Sequence, residues 1–454
     1  MQDDLLAHIR NGEPLTFLQK IKLVVTLSIP SIMAQLTSII MQYIDAAMVG
    51  RLGANATAAI GLVASTTWLF GGLCISATAG FSIQVAQLIG AKKYDKAQLV
   101  LRHSYLVILG ISLLLAAIGI CISGQLPLWL GSSGSISKDA AAYFLVFACS
   151  LPAMALNRLA ASMMQCSGNM KVPGVLNCLM CGWDVLLNAV FIYGFKMGVT
   201  GAALGTALSE VITAACMFYF LLCRTPMFKT KKRESFRMES LYLQKAAQIS
   251  IPIALERLIM SGGLVITTSI VAPLGAVAIA ANSLAVTAES LCYMPGFGIA
   301  DAATTLVGQS IGAGRKDMTK SFSRMTVIFA MLFMAVTAVL LFVFAPALMG
   351  MLTPDVQVRE MGTNILRIEA FAEPLYGASI VVAGVLRGAG DTLMSSVLSL
   401  ISLWCIRIPL SVLLVGPLKL IGVWIAMCVE LCFRGCIFLW RLLKGKWFEK
   451  AGLK

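Results

Sequence analysis

The sequence predicts an all-α membrane protein whose twelve transmembrane helices form two pseudo-symmetric six-helix lobes. Three observations predict it. The 454 residues are 59% hydrophobic and only 12% charged, far more apolar than soluble domains. The apolar residues gather into segments of roughly 20, the length that crosses a bilayer as a helix. Finally, the chain repeats itself at a fixed interval, as described below.

In order, the first six spans lie near Ile21–Val49, Ala54–Ala79, Ser104–Cys121, Ala140–Met164, Val175–Tyr193 and Gly201–Leu222. The second six lie near Ala246–Leu274, Ala276–Val307, Val327–Leu348, Ile365–Val385, Leu393–Val415 and Ile421–Leu439. The two sets correspond. Pro30 recurs as Pro252, Gly53-Ala54 as Gly275-Ala276, QLIGA from Gln87 as QSIGA from Gln309, Pro152 as Pro374, and Gly168 as Gly390. The interval is 222 residues throughout (275 − 53; 390 − 168) and slips by one only late, where Gly201 matches Gly422. One register kept over five elements marks an internal duplication. Six is an even number of crossings, so both copies enter the membrane from the same side, a parallel repeat about an axis along the membrane normal. The expected division is a first lobe over 1–223, a basic cytoplasmic linker over 224–244 and a second lobe over 245–454.

The net charge of +14 is a topology signal rather than a nucleic-acid patch. Lys92, Lys93 and Lys96 follow the second span, Arg224 and Lys231 the sixth, Arg315 and Lys316 the eighth, and Arg441 and Lys444 the twelfth. The alternate loops hold little beyond Arg51, Lys138, Lys196, Arg359 and Lys419. The positive-inside rule then places both termini in the cytoplasm. The thirteen cysteines lie mostly inside apolar spans without disulfide or zinc-knuckle spacing, and are expected to be small buried hydrophobes. The N-terminus shows no signal-peptide pattern.

Within the first span, Ser31, Gln35, Ser38, Gln42 and Asp45 recur at steps of four and three, which puts all five on one helical face. Lipid suits the other faces, and the stripe faces protein or a wet cavity. An ionisable group there is costly and reads as a cation or proton site. The alternative is that Asp45 lies at headgroup level and caps the helix near Gly50 and Arg51. Asp184 and Asn188 lie four apart on the fifth span, Thr206 and Glu210 on the sixth, so each pair shares a face. Their oxygens suit either sodium or a shared proton.

The stretches IDAAMVGRLG after the first span, GNMKVP before the fifth and MPGFGIADAATTLVGQSIGAGRKD through the eighth resemble the multidrug and toxic compound extrusion (MATE) family over the whole chain. The resemblance implies an antiporter that exports organic, often cationic compounds against inward flow of protons or sodium ions, by alternating access of two lobes. It implies a coupling site in which an Asp of the first span works with an Asn and an Asp of the fifth and a Thr of the sixth. Asp45 and Thr206 match. The fifth span departs: the family commonly has Asn and then Asp, whereas Asp184 precedes Asn188 here. That moves the charge by one turn, roughly 5 Å.

In the second lobe Thr267 stands where Asp45 does in the first. The acids fall elsewhere: Glu256 four residues after Pro252, and Glu369 and Glu373 on the tenth span. With Arg407 they are expected to form an ion network, either a second proton relay or a structural lock. Glu210 and Glu430 are read as structural. The Pro295–Gly298 segment, between Glu289 and Asp301, reads as a kinked or broken helix, or else as tight packing through small residues. Substrate-lining candidates are Gln35, Met41, Gln42 and Tyr376, since Met adapts and aromatic faces attract cations.

The two histidines lie outside the span cores, and no zinc-protease, phosphate-loop or nucleophile-elbow motif occurs. An enzyme is therefore not expected. No cofactor is expected beyond the coupling ion, proton or sodium. The expected partners are small organic substrates and membrane lipid, not nucleic acid, for a monomer in the plasma (inner) membrane. A flippase of lipid-linked precursors or polysaccharide, from the wider superfamily, is the rival reading. It calls for a strongly basic cavity, and a channel for charge rings or a filter loop.

Overall fold

Lipid offers the backbone no hydrogen bonds, so apolar spans must satisfy their own as helices. The computed structural model describes residues 2–132, 134–228, 239–445 and 447–448, which are helical almost throughout with no strand among them. Most of the expected linker, 229–238, lies outside the described residues.

The first repeat comprises α2 (Phe17–Gly50), α3 (Ala54–Gly90), α4 (Tyr94–Ile122), α6 (Gly134–Cys166), α7 (Lys171–Ala189) and α8 (Gly198–Tyr219). A short α1 (Gln2–Asn11) precedes it, and α5 (Leu126–Trp129) sits between α4 and α6. The second repeat comprises α9 (Ser240–Val271), α10 (Ala276–Gly312), α11 (Lys316–Leu352), α12 (Val356–Glu369), α13 (Glu373–Gly388), α14 (Thr392–Ile401) and α15 (Ile408–Lys444). Ten stretches are individually long and apolar enough to cross a membrane. The α12–α13 pair, bent by 60°, makes an eleventh. The 53-residue run Thr392–Lys444 is itself divided at Lys419, whose φ of 52° and ψ of −133° leave the helix. With that division the twelve expected spans are all present. Lipid-facing stripes follow helical periodicity: on α11, Ile328, Leu332, Val336, Val339 and Val343 are all exposed.

Two sequence expectations change and one open reading is resolved. The tenth span is not one straight helix. Pro374 in the first turn of α13 has no N–H to extend α12, and the chain breaks at Ala370–Ala372 with Phe371 turned outward, 73% exposed. Of the two readings of the Pro295–Gly298 segment, close packing fits and a break does not: α10 is uninterrupted through Pro295. Its glycines serve close approach: a Cβ on Gly298 would lie 2.6 Å from the backbone nitrogen of Ile32. The cysteines are all unpaired, as expected, but only Cys74, Cys166 and Cys292 are buried.

The chain falls into two compact units, Met1–Gln35 with Leu255–Lys454, and Leu36–Ala254. The boundaries lie inside α2 and α9, just past the repeated prolines Pro30 and Pro252. Within one unit, Ser31 Oγ donates to Asp301 at 3.3 Å. Within the other, the start of α9 packs on α3: Gly80 N donates to Ser250 Oγ at 3.1 Å, and Gln84 Nε2 to the Tyr242 carbonyl at 3.1 Å.

Candidate functional site

The unit Leu36–Ala254 gathers its polar side chains where α2, α7 and α8 meet. Asp184 and Asn188, one turn apart on α7, are buried. Asn188 Nδ2 donates both to Asp45 Oδ1 of α2 at 2.9 Å and to Asp184 Oδ2 at 3.0 Å. The amide thus sits between two carboxylates. Asp184 Oδ1 accepts from Ser209 Oγ of α8 at 3.3 Å. Asn188 Oδ1 is buried and accepts no hydrogen bond.

The helices approach closely enough for this because position 205 is glycine. A Cβ there would collide with Asn188 Oδ1 and lie 2.8 Å from the Asn188 backbone nitrogen. Immediately after Asn188 the helix widens into a π turn, Val190–Gly194, a distortion frequent at functional sites. Asp45 is half-buried, and its carboxylate accepts from Asn188 of α7. The reversed Asp-Asn order has a direct geometric result: it sets the Asn188 amide against both Asp45 and Asp184, whose carboxyl groups also neighbour each other.

Thr206 enters through its carbonyl, which accepts from Ser209 Oγ at 2.8 Å. Ser209 was missed by sequence reasoning. It lies three residues after Thr206, hence on the same face, and that spacing was the available signal.

A cavity of about 70 Å³ in the same unit is lined by Ser38, Met41, Gln42, Asn157, Arg158 and Glu210, among others. Two lining candidates, Met41 and Gln42, are therefore on it; Gln35 and Tyr376 are not. Asn157 Nδ2 donates to Glu210 Oε2 at 2.7 Å, so Glu210 is a wall of the cavity. The polar stripe of α2 thus has several tasks along its length: Ser31 bonds Asp301, Ser38 and Gln42 face the cavity, and Asp45 meets α7.

The second repeat places its acids differently. Glu369 ends α12 and Glu373 begins α13, on either side of the bend, and both are fully buried. Neither oxygen of Glu369 accepts a hydrogen bond, and Glu373 has the Cys292 thiol beside it. Glu289 of α10, 5% exposed, lies in the same group. Arg407 has Glu289 and Glu369 as charged neighbours, and its Nη2 lies 2.6 Å from Met427 Sδ. Glu430 is paired with Arg434 at 2.6 Å and also accepts from Ser402. Glu256 stands apart from this group. It accepts from Ser396 Oγ at 2.7 Å and neighbours Arg387. The expected set of Glu256, Glu369, Glu373 and Arg407 is thus divided in two, with no bond or ion pair joining Glu256 to Arg407 among the described residues. Tyr376 stacks edge-on against Tyr293, with ring centroids 5.6 Å apart.

The MatE family model matches the chain twice, over residues 30–194 and 252–413, and the two starts are again 222 residues apart (252 − 30). A probable multidrug resistance protein NorM from Thermotoga maritima is 26% identical, covering 95% of this chain and 94% of its own length. The multidrug resistance protein MdtK of Edwardsiella ictaluri is 26% identical over 93% of this chain and 94% of its own. Two solved structures share the fold at 21% identity. One is a MOP superfamily transporter from Pyrococcus furiosus, with TM-score 0.88 over 94% of this chain and 96% of that one. The other is a mutant of the Vibrio cholerae MATE transporter VcmN, with TM-score 0.87 over 94% and 97%.

Proposed function

Because this chain belongs to the MatE family, whose members are multi-pass membrane transporters rather than enzymes, we propose that it is a secondary antiporter. It exports organic, predominantly cationic compounds in exchange for a proton or a sodium ion, with both termini in the cytoplasm. The observation that carries the proposal is Asn188 held between Asp45 and Asp184. Two carboxylates sharing one neutral amide leave negative charge inside a membrane-embedded bundle, which a small cation must balance. Asn188 Oδ1 supplies a buried acceptor with no competing donor, as a dehydrated hard cation requires.

The cargo route follows from the same unit. Met41 and Gln42 line the small cavity together with Glu210, and an adaptable Met beside polar groups is the lining that loose specificity for organic cargo calls for. A pyrophosphate-bearing cargo would need a strongly basic cavity, and here Arg158 shares the lining with Glu210.

The test is efflux of a fluorescent cationic dye from proteoliposomes under separately imposed pH and sodium gradients. The gradient that drives export identifies the ion. Asp45→Asn is expected to abolish gradient-driven export while the protein still inserts and purifies as a folded monomer. Undiminished export by that variant overturns the coupling role.

A further inference from the structure

Where the first turns of α11 meet the end of α15 the structure holds a cavity of about 740 Å³, within the roughly 300–1,000 Å³ of small-molecule sites. Its walls carry Lys316, Lys320, Arg324 and Lys444, with Trp447 and Phe448. Among the described residues that line it, none is acidic.

The sequence builds this place in two ways. Lys316, Lys320 and Arg324 recur every four residues, so α11 presents them on one face. On the other side Gly445, at φ 70°, ends α15 in the left-handed conformation that glycine adopts without steric cost. The chain then packs Trp447 and Phe448 ring on ring at 3.9 Å. Trp447 is fully buried and donates its indole N–H to the Leu442 carbonyl at 3.1 Å.

The cations are not spent on neighbours. Among the described residues no ion pair involves Lys316, Lys320, Arg324 or Lys444. The adjacent acid, Asp317, is held by Arg315 at 2.8 Å. The Lys444 ammonium lies over the Trp440 ring at 4.0 Å, a contact that leaves N–H donors for an anion. Next to these charges the outer face of α15 is apolar and open: Trp440 is 51% and Leu443 70% exposed. A basic hollow thus adjoins a lipid-facing surface.

We infer that this cavity binds the phosphate headgroup of an anionic phospholipid, with the acyl chains lying along Trp440 and Leu443. Free phosphate would satisfy the charges but leave that apolar flank uncovered. Basic pockets at the cytoplasmic ends of spans attract such headgroups, each Lys or Arg contributing about 1 kcal/mol, or roughly fivefold in affinity. The inference rests on membrane embedding and not on the export reading.

The test uses the full chain in detergent, followed by native mass spectrometry and thermal unfolding. The probes are phosphatidylglycerol, phosphatidylcholine and inorganic phosphate. The wild type should retain phosphatidylglycerol adducts and gain Tm with that lipid alone. The combined variant Lys320→Gln, Arg324→Gln, Lys444→Gln, at three exposed positions, should bind it about a hundredfold more weakly. The matched control Lys92→Gln, Lys93→Gln, Lys96→Gln removes equal charge elsewhere and should bind as the wild type does. Equal weakening in both variants, undiminished binding in the first, or the same Tm gain from inorganic phosphate or phosphatidylcholine overturns the inference.

Discussion

The two repeats share a frame and differ in what they put inside it. In the first, two acids lie on α2 and α7, and Asn188 and Ser209 supply neutral donors to them. In the second, four acids lie on α10, α12, α13 and α15, with Arg407 and Arg434 among them. At the interval of 222 residues, Asp45 corresponds to Thr267, Glu289 to Thr67, Glu369 to Phe147 and Glu373 to Leu151. Only Glu430 comes near an acid of the other copy, falling beside Glu210 once the interval has slipped to 221 (430 − 221 = 209). The duplication fixed where helices run, which lipid and backbone hydrogen bonding enforce on both copies equally. Charge placement was free to diverge, because each group needs only local partners. One repeat surrounds its carboxylates with amide and hydroxyl donors, the other places guanidinium groups among them.

That contrast can be broken at several points. The largest effect is expected at the fixed ion pair. Glu430→Ala leaves Arg434 buried without its carboxylate and should cost about 3–5 kcal/mol, read as a fall in Tm and folded yield. The double variant Glu430→Leu, Arg434→Met should recover most of it, since apolar replacement of a whole buried pair is often neutral. An unrescued double variant would show that the pair does more than lock helices together.

In the first repeat the effect should fall on transport more than on stability. Gly205→Ala drives a methyl into Asn188 and should cost about 1–3 kcal/mol through overpacking, with at least a tenfold loss of gradient-driven export. Gly61→Ala, where nothing lies within 4 Å of the added carbon, should leave both unchanged. The smallest effect is expected at Glu369→Gln. It keeps the shape and replaces a carboxyl group that no donor contacts, so Tm should hold or rise, within about 1 kcal/mol. A large fall in Tm there would mean that Arg407 depends on Glu369 as Arg434 depends on Glu430.

The twelve spans, the repeat and the shared face of Asp184 and Asn188 were legible in the sequence for physical reasons, while the joining of Asp45 to that pair was implied by the MATE resemblance. Apolar length is dictated by bilayer thickness, and residues four apart on a helix must share a face. What was not legible depended on contacts between helices. Ser209 is one hydroxyl among many until α7 packs against α8. The meeting of Glu289 with Glu369 and Glu373 brings together residues 80 or more positions apart. The bend at Ala370–Ala372 is masked by small and apolar residues, with its proline lying beyond the break. At Pro295 and its glycines the sequence left a break and close packing both open, and only the packed helices show Gly298 lying against the backbone at Ile32.

The unit boundaries inside α2 and α9 bear on how the two repeats depend on each other. Each unit borrows the opening stretch of the other repeat's first helix: α10 receives the chain around Ser31 and Ile32, and α3 the chain around Tyr242 and Ser250. Such an exchange of first-helix openings between two like copies has the form of a domain swap within one chain. Severing the chain at residues 229–238 should yield two halves that are unstable separately and complementary when co-expressed.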